Sequence, residues 1–263
     1  MKIKFAVLAT VLAAIATPVC AQNADADTAA EPTEPKTEND GTDPTQLSSS
    51  ADVTLEHLDL RGGFGSQTLA FGFTTPIAAG TSLRFRAPLV ANDVLGNNSL
   101  GLGDVSVKLT RVLKVTRQYG IVVGGELAFD TADRLELGSG KTVFKANFVY
   151  AKFLKGGSIF APALVHSISV AGKDSRADVN STTLDLYYVP RLKNKKLFMT
   201  VDPAIIHDWE NDKTYGSVAV TFGQKLGKMF GGNGQVFVKP SVLIGSDRGA
   251  NWGVQVGFKV LNF

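Results

Sequence analysis

The chain contains one cysteine, Cys20, so no internal disulfide and no thiolate cluster can hold it together. Histidine is nearly as scarce, with His57, His166 and His207 alone, which leaves little material for a metal centre or a catalytic triad. No run of about 18 uninterrupted apolar residues occurs, which argues against a membrane-spanning helix. Beyond residue 51 there is no sustained helical periodicity. The basic residues are scattered through alternating segments without a recognised motif, which argues against nucleic-acid binding. Stability must come from strand pairing.

Residues 1–21 have the three zones of a secretory signal: Lys2 and Lys4, an apolar stretch from Phe5 to Ile15, and small residues around Cys20 and Ala21. Cleavage after Ala21 is expected. Residues 22–51 form a second zone, rich in Ala, Thr, Ser and Pro and without aromatics, whose composition predicts a disordered acidic tether in the periplasm. Seven carboxylates (Asp25, Asp27, Glu31, Glu34, Glu38, Asp40, Asp43) against Lys36 give it a net charge of −6. The whole chain carries +3 and the signal +2, so residues 52–263 carry +7. A basic domain of this kind attracts anions, lipid phosphates, or its own acidic tail.

From Asp52 the pattern has period two. Twelve candidate strands, bounded by Gly, Asn, Asp or Ser, fall at 53–61, 66–75, 81–90, 104–113, 119–130, 142–154, 158–170, 182–191, 197–208, 215–226, 234–244 and 252–263. The even number and the lengths of mostly 9–13 residues fit a transmembrane antiparallel up-and-down β-barrel, an all-β fold, over residues 52–263. With the amino terminus in the periplasm, connections such as 91–103, 131–141, 171–181 and 209–214 face outward. They are longer and richer in Asn, Asp and Gly than 155–157 and 192–196, with 227–233 as the exception.

Alternation separates a lipid face from a lumen. Leu83, Phe85 and Leu89 point to lipid, which leaves Arg84 and Arg86 inward. Lys108, Glu126, Lys145, Asp185, Arg191, Asp202, Thr221, Lys225, Lys239 and Lys259 take the same inward phase. Arg84, Arg86, Lys108, Glu126, Asp185, Asp202, Lys239 and Lys259 are therefore the candidate lumen-lining residues. A channel lining and a lumen filled by paired charges follow equally from this pattern. Three features conflict with regular strands. Pro162, Pro190, Pro203 and Pro240 remove ladder donors and imply bulges or strand ends; His166 falls on the apolar phase; and Val260 and Phe263 cannot share a face.

Gly101-Leu102-Gly103-Asp104, the later Leu137-Gly138-Ser139-Gly140-Lys141, the proline-bearing strands and terminal Phe263 resemble the outer-membrane transporter family of the meta-pathway of phenol degradation. The resemblance spans residues 52–263 and leaves out the acidic segment. It implies an outer-membrane barrel that admits small hydrophobic or aromatic compounds, and it supplies no binding residue. Asn262 departs from the aromatic or aliphatic residue expected before the last position of an assembly signal.

Barrel enzymes are the competing class. A lipid hydrolase needs a serine within reach of a histidine, whereas Ser167 and Ser169 alternate away from His166. His207, Asp208 and Glu210 cluster in sequence as a weak metal site. Glycine runs at 62–65 and 231–234 lack a following helix and read as turns. The sequence thus points to a non-enzymatic outer-membrane channel or passive transporter for small solutes, with no cofactor and no metal. Its expected partners are outer-membrane lipid, lipopolysaccharide, a small-molecule solute and the barrel assembly machinery. A non-conducting structural or surface-interaction barrel is the alternative.

Overall fold

The computed structural model describes residues 39–263, so the signal segment and residues 22–38 of the acidic zone lie outside the described residues. Thirteen strands follow in order: β1 (Ser50–Leu60), β2 (Phe64–Ala78), β3 (Thr81–Asn92), β4 (Ser99–Leu102), β5 (Ser106–Val115), β6 (Tyr119–Ala128), β7 (Lys141–Phe153), β8 (Ile159–Gly172), β9 (Asn180–Val189), β10 (Leu197–Asp208), β11 (Lys213–Met229), β12 (Gly232–Ile244) and β13 (Ala250–Leu261). The helical content among the described residues is one 3-10 turn, Leu135–Leu137.

Each long strand pairs antiparallel with its sequence neighbours, and β1 pairs with both β2 and β13, so the sheet closes. The short β4, absent from the expected strands, lies beside Leu89–Asn92 of β3, where β5 has already left off at Arg86. It continues the position of β5 after a break at 103–105. The result is a closed barrel of twelve staves.

Registers fix the two faces. Asp52 is opposite Lys259 and Gly72, Gly72 opposite Arg86, and Arg84 opposite Lys108. These residues share the inner face. On the other face, Leu55, Phe71, Phe222 and Val256 are each about half exposed, an apolar skin of the kind that faces lipid. The eleven connections divide as the sequence implied. One end carries the loops 61–63, 93–105, 129–140, 173–179, 209–212 and 245–249. The other carries the short turns 79–80, 116–118, 154–158, 190–196 and 230–231. The expected exception at 227–233 disappears, because β11 and β12 run on to a two-residue turn, Phe230-Gly231, with both residues at positive φ.

Three expectations change. Pro190 does follow the end of β9, but Pro162, Pro203 and Pro240 make no bulge. Beside each of them the ladder to the preceding strand skips two residue pairs and resumes in the same register. The lost donor is absorbed by a local gap. His166 belongs on the outer face, with its Nδ1 3.0 Å from Thr182 Oγ1, which also accepts the Trp209 indole N–H at 2.9 Å. This polar and aromatic group, joined by His207 stacked edge-on against Trp209, suits the level where a barrel leaves hydrocarbon for the headgroups. Phe263 returns to the outer face beside Phe73, ring centroids 6.2 Å apart, because Asn262 at φ 59° breaks the alternation after β13. Asparagine tolerates that left-handed conformation where a β-branched residue does not.

Candidate functional site

The acidic zone supplies the first surprise. Residues 39–49 are ordered against the inner wall, and Ser50 and Ala51 already belong to β1, so the expected disorder does not hold for this part. Its polar side chains build local turns: the Asp43 carboxylate accepts from the backbone N–H and hydroxyl of Thr45 at 2.9 and 2.7 Å. The Asp40 carboxylate holds Thr42 in the same way and reaches Lys225 of β11 at 3.1 Å. The Tyr187 hydroxyl of β9 donates to the Thr42 carbonyl at 3.0 Å, and Thr45 packs against Gly120 of β6. Ser49 and Asn262 close the other side through backbone and side-chain bonds to Phe263 and Ser49. Contacts from β6 round to β13 mean that the segment crosses the bore.

Behind it lies a cavity of about 340 Å³. Its charged lining includes Asp40, Asp52, Arg84, Arg86, Asp202, Lys239 and Lys259. Arg84 makes a two-pronged bond to Asp52 at 2.8 and 2.9 Å, and Lys239 lies 2.8 Å from Asp202. Such fork geometry fixes the guanidinium plane. Arg86 and Lys259 make no ion pair within 4 Å with another described residue, although Asp52, opposite Lys259 on β1, and Asp40 lie close enough to act on that ammonium. Of the remaining candidates, Lys108 and Glu126 are opposite one another on the adjoining wall, where Lys145 approaches Glu126 at 3.6 Å. Asp185 lies across from Ala204, one strand from Asp202, and neither Lys108, Glu126 nor Asp185 borders the cavity.

Aromatic lining was overlooked in the sequence. Tyr187, Phe198 and Phe237 all border the cavity. Phe198 and Phe237 are opposite Gly223 and Gly257 on the next strand, and their rings occupy the space a Cβ there would need. Each glycine lets a ring lie flat along the wall, which leaves room for the cavity at that level. The alternation of Phe198 with Thr200 and Asp202 carried this information, but a search for polar inward positions passes over it.

The two glycine-bearing motifs meet at the long-loop end. The Asp104 carboxylate accepts from the Ser139 backbone N–H and hydroxyl at 2.7 and 2.9 Å, tying 101–104 to 137–141. Glu136 accepts from Ser99 of β4 at 2.7 Å, and that hydrogen bond holds its carboxyl below the ordinary range. His207, Asp208 and Glu210 are not assembled for a metal: His207 Nδ1 lies 2.7 Å from Thr214 Oγ1, while Asp208 caps the turn by accepting from Glu210 and Asn211. His57 engages Gln67 at 3.1 Å and Trp252.

No family model matches the chain, and no curated protein matches it in sequence. Solved structures do. The COG4313 outer membrane channel from Pseudomonas putida F1 superposes with a TM-score of 0.64 at 12% identity, over 85% of this chain and 100% of that one. The NanC porin follows at 0.60 and 11%, over 81% and 100%, and the KdgM porin at 0.56 and 11%, over 80% and 98%. The likeness establishes the fold. It is the barrel used by outer-membrane channels and porins, and the resemblance to the phenol meta-pathway family reaches no further than that architecture.

Proposed function

We propose that the protein is a narrow outer-membrane channel for small organic solutes, with a preference for anions. The short-turn end, where residues 39–49 lie, faces the periplasm, in keeping with the usual asymmetry of bacterial barrels. The observation that carries the reading is the charge of the cavity lining: Arg86 and Lys259 border it without forming an ion pair with a described residue, so four cations face three carboxylates, Asp40, Asp52 and Asp202. Fixed unpaired charge in a confined aqueous space enriches the opposite ion. Arg84 and Lys239 contribute less, since Asp52 and Asp202 compensate them. The rings of Tyr187, Phe198 and Phe237 offer apolar surface beside these cations, which suits a small carboxylate with a hydrophobic or aromatic body.

The Arg86→Gln/Lys259→Gln variant tests this. In a planar bilayer with a salt gradient, the native protein should reverse on the anion side and the variant should move toward zero. An unchanged reversal potential would remove both residues from the selectivity path. The non-conducting barrel is favoured by one feature, the 39–49 segment across the bore, and it requires that no variant of that segment conduct.

A further inference from the structure

The turns at the two ends of the barrel differ sharply in charge, and the carboxylates described at the short-turn end, Asp40 and Asp43, belong to the segment that crosses the bore. The five short turns, extended by three residues into the strands on either side, contain nine Lys and Arg residues and no Asp or Glu, and all nine are exposed. Four of them, Arg191, Lys193, Lys195 and Lys196, crowd the single turn between β9 and β10. The six connections at the opposite end hold ten carboxylates against five cations. The basic arc is therefore a local feature of one rim and does not follow from the net charge.

Its neighbours show which way it faces. Lys114 is opposite Ile121, and Lys152 is opposite Phe160, both on the outer face of the wall. Leu113 beside Lys114 is more than half exposed, Leu197 follows Lys196 on the outer face, and Phe230 is 82% exposed. Cations interleaved with bare apolar side chains at the end of membrane-spanning strands form an interfacial surface. The apolar groups meet acyl chains, and the long Lys and Arg stems carry their charge up to the phosphates.

We propose that this arc binds the anionic headgroups of phospholipids in the leaflet at the short-turn end, with phosphatidylglycerol as the representative ligand. Each cation near a charged leaflet favours it electrostatically, and the attraction is confined to about 8–10 Å at moderate salt. An acidic soluble protein would use the charge but would leave the flanking leucines and Phe230 uncovered.

The test uses the purified full-length protein reconstituted in mixed phosphatidylcholine and phosphatidylglycerol vesicles, with spin-labelled forms of each lipid reporting the protein-bound fraction. At low salt the protein should retain phosphatidylglycerol over phosphatidylcholine by about fivefold, and the ratio should fall toward one near molar salt. The Arg191→Gln/Lys193→Gln/Lys195→Gln/Lys196→Gln variant should lose most of the preference, whereas Lys173→Gln/Lys213→Gln at the other end should keep it. Equal retention of the two lipids by the native protein, or an undiminished preference in the fourfold variant, would overturn the proposal. If that variant does not refold, the native salt titration decides, because a preference insensitive to salt contradicts it. Saturable binding of polyglutamate without any lipid preference would assign the arc to an acidic protein instead.

Discussion

Asp52 shows how much a single inward residue depends on its partner. Its carboxylate is the acceptor for both Arg84 nitrogens, and removing it leaves a guanidinium whose side chain is 31% exposed facing the cavity. Asp52→Asn should lower the stability measured by urea unfolding in micelles by about 1–2 kcal/mol, less than a fully buried pair because the lumen solvates Arg84. Tyr187→Phe removes the one hydroxyl bond to the Thr42 carbonyl and should cost about 1 kcal/mol, with the larger effect on how often the bore is open. Alternation around Leu83 and Phe85 is enough to turn Arg84 inward. It does not identify Asp52 as the partner, because that choice depends on the registers of β1, β2 and β3, which no local pattern encodes. Segment 39–49 was illegible for a related reason: composition weighs hydrophobic content, while this segment is held by carboxylate turns, Lys225 and Tyr187.

At the scale of elements, the long loops behave as a tied unit. Asp104 fastens 137–141, and Glu136 fastens β4 through Ser99. Because the Glu136 carboxyl is held below its usual value, its contribution is present above the ordinary carboxylate pKa of about 4.3 and is lost as pH falls through the lowered value. The hydrogen-exchange protection factors of residues 135–140, corrected for the intrinsic pH dependence of amide exchange, should therefore stay constant from neutral pH to about 5 and fall below about 4. Glu136→Gln should flatten that profile. The last strand offers a second check: Asn262→Val forces a β-branched residue to φ 59° or displaces Phe263 from Phe73. Refolding yield, read from heat-shifted gel mobility, should drop, and Asn262→Gly should preserve it. Strand positions were readable because a half-lipid, half-water wall imposes period two. The short β4 was not, since Ser99–Leu102 owes its conformation to β3 and to the loop above it. The prolines misled for an instructive reason: a strand can lose two pairs to one neighbour and remain in register through the other.

For the whole molecule, closure through β1 and β13 replaces the disulfides the chain lacks, and the apolar skin makes the membrane part of the fold. Inside, paired charges fill much of the wall, while Arg86 and Lys259 border the cavity without an ion pair to a described residue, beside three aromatic rings. Across one mouth, Asp40 and Thr42 tie the leading segment to Lys225 and Tyr187. On the proposed reading the barrel is a narrow, charge-selective channel, partly obstructed at one end. Single-channel recording on the purified, refolded protein in a planar bilayer tests that description most directly. Discrete small steps with an anion-side reversal potential, more frequent when Asp40→Asn and Tyr187→Phe loosen the leading segment, are the expected result. A silent bilayer for both the native protein and that double variant, at every voltage tested, would contradict it.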